Sequence, residues 1–355
     1  MKNIFLFALT ALTALTFSLL SCENDDPTER FNDFDYTTVY FPYQYPVRTL
    51  VLGDYSVDNS NDNNLKFMIS ARVAGMYEND KNWNVSYALA PELVANLQTN
   101  ANSWDGKTAP AEDPLEILPS AYYTLNPGEN LTIPSGDFVG EIEVQLTDSF
   151  LDDPKSFLTR YVIPVRITSS SADSVLSGRP VVANPDPRIA SHWAVAPKDF
   201  TLFGIKFVNA YHGKYLHRGK SVIKNDVGEV TQTIEYRQKY VEQDEIWSLQ
   251  TTGRNKVTLT GTLRSQPISP GSFKLELTFD DNGNCVVTEV AGSAFPVTGT
   301  GKFVKNGDSW GNTPRNAIHL NYTVTEGTNS HTVSDTLVFR DKGIAFQSYQ
   351  PVILP

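Results

Sequence analysis

Gly140-Glu141-Ile142-Glu143-Val144-Gln145-Leu146 and Tyr161-Val162-Ile163-Pro164-Val165-Arg166-Ile167 carry the clearest strand patterns in the chain. In the first, Ile142, Val144 and Leu146 share one face; in the second, Tyr161, Ile163, Val165 and Ile167 do. A period of two belongs to an extended strand with one covered face, so each stretch supplies one side of a sandwich core. Pro164 has no N–H to give to a ladder, which places it at a sheet edge or a bulge. Outward from these stretches, the same alternation recurs at residues 39–41, 65–73 and 83–89 between turn-forming clusters. One short helix is expected at 91–97, with Pro91 in its first turn and Leu93 and Leu97 on one face.

At residues 171–197 the alternation stops. Gly178-Arg179-Pro180, Asn184-Pro185-Asp186-Pro187 and Ala196-Pro197 read as a linker between a first domain, 30–170, and a second, 198–355. In the second domain at least eight alternating runs follow, among them 201–208, 231–240, 257–263, 273–279, 318–324 and 332–339, with no amphipathic helix between them. A meander of that many strands removes its free edges by closing on itself. The expectation is therefore an all-β chain, a β-sandwich followed by an antiparallel lipocalin- or calycin-like β-barrel. A second sandwich is the alternative, because strand count alone does not decide closure. Composition agrees: 16 Tyr, 19 Phe and 5 Trp favour strands, and 22 Gly with 21 Pro punctuate them.

The N-terminal segment carries a different message. Residues 1–21 run from Lys2 through Ile4-Phe5-Leu6-Phe7 to Leu19-Leu20-Ser21, too short and too Thr-rich for a stable bilayer span, and they read as a signal peptide. The small residue before Cys22 resembles the bacterial lipoprotein box, which implies lipidation of Cys22 and a tether at 22–29. Glu23-Asn24-Asp25-Asp26 resembles the acidic export signal of Bacteroidetes lipoproteins displayed on the outer surface. The implied location is the outer membrane, facing the exterior, with membrane contact through the lipid anchor only. Removing residues 1–21 takes one lysine and no acid from a chain of net charge −11, so the mature protein is more acidic still. Such a surface does not suit nucleic acid. With Cys22 lipidated, Cys285 has no thiol to pair with and no Cys/His spacing for zinc, so neither a disulfide nor a metal or cofactor is expected.

The ordered set Tyr122-Tyr123-Thr124-Leu125, Leu131-Thr132-Ile133-Pro134-Ser135-Gly136, Gly140-Glu141-Ile142-Glu143-Val144 and Tyr161-Val162-Ile163-Pro164-Val165-Arg166-Ile167 resembles an N-terminal immunoglobulin-like domain of unknown function. That family occurs in surface lipoproteins of Bacteroidetes glycan-utilisation systems, ahead of a lectin-like sandwich, a barrel or a chitinase-like barrel. The resemblance implies a setting, and glycan as the suspected partner, without assigning an activity. The endoglycosidase branch needs an Asp-x-x-Asp-x-Asp-x-Glu run on a β/α barrel, and the chain has neither.

Candidate sites follow from side-chain chemistry. Trp310, flanked by Asp308, Asn312 and Arg315, offers a flat apolar face between hydrogen-bonding groups, the arrangement on which sugar rings stack; Trp104 sits in a similar polar loop. Either tryptophan equally fits a plug for its own domain, while Trp83 and Trp247 alternate as core residues. Gly307-Asp308-Ser309-Trp310-Gly311 matches the Gly-x-Ser-x-Gly nucleophile pattern, yet the helix that pattern requires is missing, so a hairpin is expected. His212 and His217 would face opposite sides of a strand. The run from Asp58 to Asn64 has oxygen ligands but not an EF-hand pattern, and reads as a solvated loop. The sequence thus points to a non-catalytic, glycan-binding surface lipoprotein. The alternatives are a structural or adhesion lipoprotein that docks another surface protein, and a serine hydrolase using Ser309.

Overall fold

The computed structural model describes residues 34, 36–99, 114–267, 269 and 271–354. The chain is 55% strand and 7% helix, and the sandwich-plus-barrel expectation holds. Cys22, its leader and tether, and Trp104 lie outside the described residues.

One sandwich sheet runs, in spatial order, Ser174–Val175, Thr38–Tyr40, Lys66–Ala74, Val139–Leu146 and Tyr123–Asn126. Its centre sets Ile69 opposite Ile142 and Phe67 opposite Val144, which turns the sequence alternation into one apolar face. The facing sheet runs Gln347–Ser348, Pro46–Val51, Phe200–Val208, Tyr161–Ser170, Trp83–Leu89 and Asn130–Ile133. Between the two, Ile69, Ile142, Val144, Ile163, Val165, Ile205 and Phe207 are almost completely buried in one core. Each such side chain contributes about 1.5–3 kcal/mol.

Two sequence expectations change here. Pro164 is not on an edge: its strand lies between Phe200–Val208 and Trp83–Leu89. It is tolerated because the Trp83–Leu89 ladder starts at Val165, while the parallel partner Glu116–Ile117 reaches only Tyr161 and Val162. The missing N–H falls in the gap between these two neighbours. The expected helix at 91–97 is a single 3-10 turn, Pro91–Val94, after which Leu97–Thr99 is strand; Leu93 and Leu97 are both buried as expected.

The strand pairing also departs from a division at residue 198. Phe200–Val208 belongs to the sandwich, antiparallel to Tyr161–Ser170 and parallel to Pro46–Val51. Residues 171–197 lie along the sandwich: Ser174–Val175 pairs with Thr38–Tyr40, and the Arg188 guanidinium donates to Leu93 O at 3.1 Å and Ala95 O at 2.7 Å. After the barrel the chain returns, Gln347–Ser348 pairing with Pro46–Val51 and Pro351–Ile353 with Leu97–Thr99.

The barrel is a closed eight-stranded antiparallel meander: Gly213–Lys224, Glu245–Gly253, Lys256–Thr262, Ser272–Phe279, Asn284–Glu289, Val297–Trp310, Thr313–Glu326 and Asn329–Asp341. The last strand closes onto the first from Tyr215↔Phe339 to Lys224↔Ser330. Val230–Tyr236 is added where the first strand splits its pairing: Gly213 to His217 face Glu245–Gly253, and Gly219 to Lys224 face Val230–Tyr236. Gly219 makes the split sterically feasible, since a Cβ there would lie 2.1 Å from Asp335 Oδ1 and 2.6 Å from Ser334 O. Asn209 joins the domains, receiving the N–H groups of Tyr211 and His212 on Oδ1 and donating from Nδ2 to Gly253 O and Lys256 O at 3.0 and 2.8 Å.

Candidate functional site

A groove of about 810 Å³ lies on the sandwich, over the free edge of Pro46–Val51. Beyond Val47, where pairing to Gln347–Ser348 ends, that edge would leave backbone groups exposed to pairing by another chain. The Asp58–Asn64 segment answers this: Asp62 Oδ2 accepts the Val51 N–H at 2.9 Å, and Asn59 Nδ2 donates to Val51 O at 2.7 Å. Ser60–Asn63 forms a short helix, and Asp62 is buried in an ion pair with Arg48. The segment is therefore a structured wall: most of the run is exposed, as its composition suggests, but it is helical and Asp62 is buried against the edge. Burial raises the Asp62 carboxyl above the usual range, against the pull of the Val51 N–H and Arg48.

Apolar groups form the floor. Phe41, Val47 and Ile69 are buried there, and Phe203 stacks on Phe67 with ring centroids 5.4 Å apart. The rim is aromatic and open: Tyr43 is 58% and Phe346 71% exposed, their rings 5.4 Å apart, and Val57 stands exposed nearby. Phe346 comes from the returning C-terminal tail. Opposite stand Arg72 and Glu141, exposed polar side chains on neighbouring strands of the other sheet. Rings large enough to cover a planar ligand thus lie within one groove with a cation, carboxylates and amides.

A second polar cluster lies inside the barrel, where the first strand splits. His217 stacks on Trp247 at 3.5 Å, places Nδ1 2.6 Å from Glu245 Oε1 and Nε2 3.1 Å from Asp335 Oδ2. Asp335 accepts from Tyr322 OH at 2.7 Å and from Tyr236 OH, and Arg264 pairs with Glu245. Burial pulls the His217 imidazole down, but the hydrogen bonds and charges of Asp335 and Glu245 outweigh it and leave the group raised. Glu245 is lowered in turn: His217 and Arg264 outweigh its desolvation. Ser221 Oγ and His331 Nδ1 are buried nearby without a hydrogen-bond partner among the described residues.

The Trp310 constellation is assembled differently from its sequence reading. Gly311 and Asn312, both with positive φ (59° and 56°), form the two-residue turn between the strands ending at Trp310 and starting at Thr313. Asp308 lies opposite Arg315 and Ser309 opposite Pro314, so the Gly-x-Ser-x-Gly stretch is a hairpin and not a strand-to-helix turn. The Arg315 guanidinium sits 4.2 Å over the Trp310 ring, and the indole N–H donates to Phe339 O at 2.9 Å. One face of the half-buried ring is thus taken by the arginine. Arg315 lies on the indole and not beside it, Asp308 accepts the Ser309 N–H at 2.7 Å, and Asn312 serves the turn. His212 lies outside the barrel, its Nδ1 3.2 Å from the Thr251 N, and His217 inside it. Trp83 and Trp247 are core residues, as their alternation suggests.

Sequence reasoning missed the groove. Tyr43 and Phe346 stand at opposite ends of the chain, and only strand pairing of the C-terminal tail joins them.

Comparison with known proteins matches residues 210–343 to a domain of unknown function, DUF5627, and residues 34–174 to the model of an N-terminal domain. A crystal structure from Bacteroides ovatus, described as of unknown function, is 36% identical, with a TM-score of 0.81 over 90% of this chain and 100% of that one. A multidomain protein including DUF1735, also from Bacteroides ovatus, is 13% identical with a TM-score of 0.44, over 87% of this chain and 97% of that one. No curated protein matches.

Proposed function

We propose a carbohydrate-binding role for this chain, which belongs to the same family as the 36%-identical Bacteroides ovatus protein of unknown function. The observation that carries the proposal is the groove: exposed Tyr43 and Phe346 rings beside Arg72, Glu141 and Asp58, over an apolar floor. Sugar rings present C–H faces to aromatic surfaces and hydroxyls to planar polar side chains, and this groove offers both within reach of one chain of sugars. Asp58 and Glu141 supply acceptors, and Arg72 a forked donor. The reading is non-catalytic: the groove binds, the barrel supports it. The lipoprotein-like segment around Cys22 favours display on the outer membrane, where a glycan binder would meet polymer. Labelling with a radioactive fatty acid, lost in Cys22→Ser, tests the anchor.

A glycan array probed with the wild-type protein, with Tyr43→Ala/Phe346→Ala and with Trp310→Ala tests the site. Signal lost in the groove variant and kept in Trp310→Ala supports the proposal. Signal lost only in Trp310→Ala moves the site to the barrel hairpin. Silence across plant, host and microbial glycans from folded protein rejects direct binding to them and favours docking of a protein partner on the same apolar rim.

A further inference from the structure

Inside the barrel, the strand pairing leaves two buried polar atoms over. Ser221 is 1% exposed and His331 completely buried. Ser221 Oγ and His331 Nδ1 have no hydrogen-bond partner among the described residues. A hydroxyl or ring nitrogen taken out of water is costly to leave unpaired, so each requires a partner. Register brings the two together. Ser221 lies opposite Val333 and Ile223 opposite His331, which sets Ser221 and His331 diagonally across the ladder that closes the barrel. Diagonal neighbours of this kind have Cα atoms on the order of 7–8 Å apart, near enough for one bridging molecule to reach both side chains.

Both residues line the same small cavity, whose apolar walls come from Trp247, Phe273 and Val333. Its volume of about 10 Å³ excludes a sugar ring or any other ligand of several atoms and is close to the room one water molecule needs. The other polar groups around it are already engaged: His217 with Glu245 and Asp335, the Tyr236 and Tyr322 hydroxyls with Asp335, and Arg264 with Glu245. His331 Nε2 lies 2.8 Å from Glu326 Oε2. A carboxylate only accepts, so it holds the proton on Nε2, and Nδ1 of the neutral ring is left as an acceptor. An occupant must therefore donate to Nδ1 and bond to a hydroxyl that both donates and accepts. A halide cannot donate, and no group of three or more His, Cys, Asp or Glu side chains that could hold a metal ion occurs among the described residues. Water meets both demands.

We infer that this cavity is a binding site for one internal water molecule, which donates to His331 Nδ1 and accepts from Ser221 Oγ. The water ties the first strand of the barrel to the last, beside the point where Val230–Tyr236 is added. The site lies in the barrel, apart from the aromatic groove of the sandwich, and does not depend on glycan binding there.

The test is a crystal structure of the purified chain at a resolution that shows ordered water, with oxygen-17 relaxation dispersion of wild type and Ser221→Val in solution and nitrogen-15 spectra of the histidine rings. One peak of the weight of water is expected about 3 Å from both Ser221 Oγ and His331 Nδ1. Folded Ser221→Val, whose added methyl takes up the space, should hold one long-lived water fewer. The His331 ring should be protonated on Nε2, with Nδ1 a hydrogen-bonded acceptor. If Ser221→Val does not fold, the wild-type density and ring spectrum decide the case. Absence of the peak, with Ser221 Oγ and His331 Nδ1 bonded to each other or to another protein group, overturns the inference. So does a peak heavier than water, which marks an ion, or an equal number of long-lived waters in the two folded proteins.

Discussion

Replacing Asp335 by asparagine removes a charge while keeping shape, at the point where the barrel closes. The Asp335 carboxylate is completely buried, accepts Tyr322 OH at 2.7 Å and Tyr236 OH, and lies 3.1 Å from His217 Nε2. These contacts join the first strand, the last two and the added Val230–Tyr236 strand. In Asp335→Asn the His217 imidazolium keeps Glu245 but loses its fully buried counter-charge. Breaking a buried ion pair from one side costs about 3–5 kcal/mol, and that is the expected loss of unfolding free energy near pH 6. The sign of the pH dependence follows from His217. Its pKa is raised on folding, so its contribution is complete below the unfolded value, near 6.5, and disappears as pH rises through the folded value. In the variant the carboxylate that contributes most to the rise is gone, so the wild-type advantage should be largest near pH 6 and shrink toward pH 9. Urea unfolding at several pH values, followed by tryptophan fluorescence, to which Trp247 stacked on His217 contributes, measures both quantities. A cost below about 1 kcal/mol, or a gap that stays flat from pH 6 to 9, would refute the assignment of His217 as a buried cation held by Asp335.

Gly299→Ala puts a methyl 2.4 Å from Asn321 O and Tyr322 Cβ, inside a paired ladder; a loss of about 2–3 kcal/mol by urea unfolding is expected, and an unchanged midpoint would show that the strands yield. The Cys285 thiol, buried and pushed up to about 12 by desolvation, should resist Ellman's reagent at pH 8 in folded Cys22→Ser protein and react once denatured; prompt reaction of the folded form contradicts its burial. Tyr43→Ala/Phe346→Ala removes exposed rings only, so its thermal midpoint should stay close to wild type, within about 0.5 kcal/mol, and a larger loss would assign the rim to folding.

The sandwich was legible in the sequence wherever pairing left one face wet. Ile142-x-Val144-x-Leu146 opposite Phe67 and Ile69 is a local pattern with a local cause. Phe200–Val208 was harder to place, because which strand it pairs with is a long-range choice that no period records. It did carry a signal: Phe200-Thr201-Leu202-Phe203-Gly204-Ile205-Lys206-Phe207-Val208 is almost continuously apolar, as a strand covered on both faces must be, and it runs parallel to Pro46–Val51. A half-exposed barrel strand would have alternated. The site was less legible. Asp62 sits in a run of Asn and Ser that composition assigns to solvent, and only its position beside the Val51 N–H makes it a structural acceptor. Trp310 was visible as an aromatic among polar residues, but the arginine lying on it depends on hairpin register.

Calorimetric titration of a responding oligosaccharide into wild type, Tyr43→Ala/Phe346→Ala and Trp310→Ala decides whether the proposed glycan site is the Tyr43–Phe346 groove. A one-site isotherm is expected for wild type and Trp310→Ala, with affinity reduced about tenfold or more in the groove variant. Equal affinity in wild type and the groove variant would contradict it.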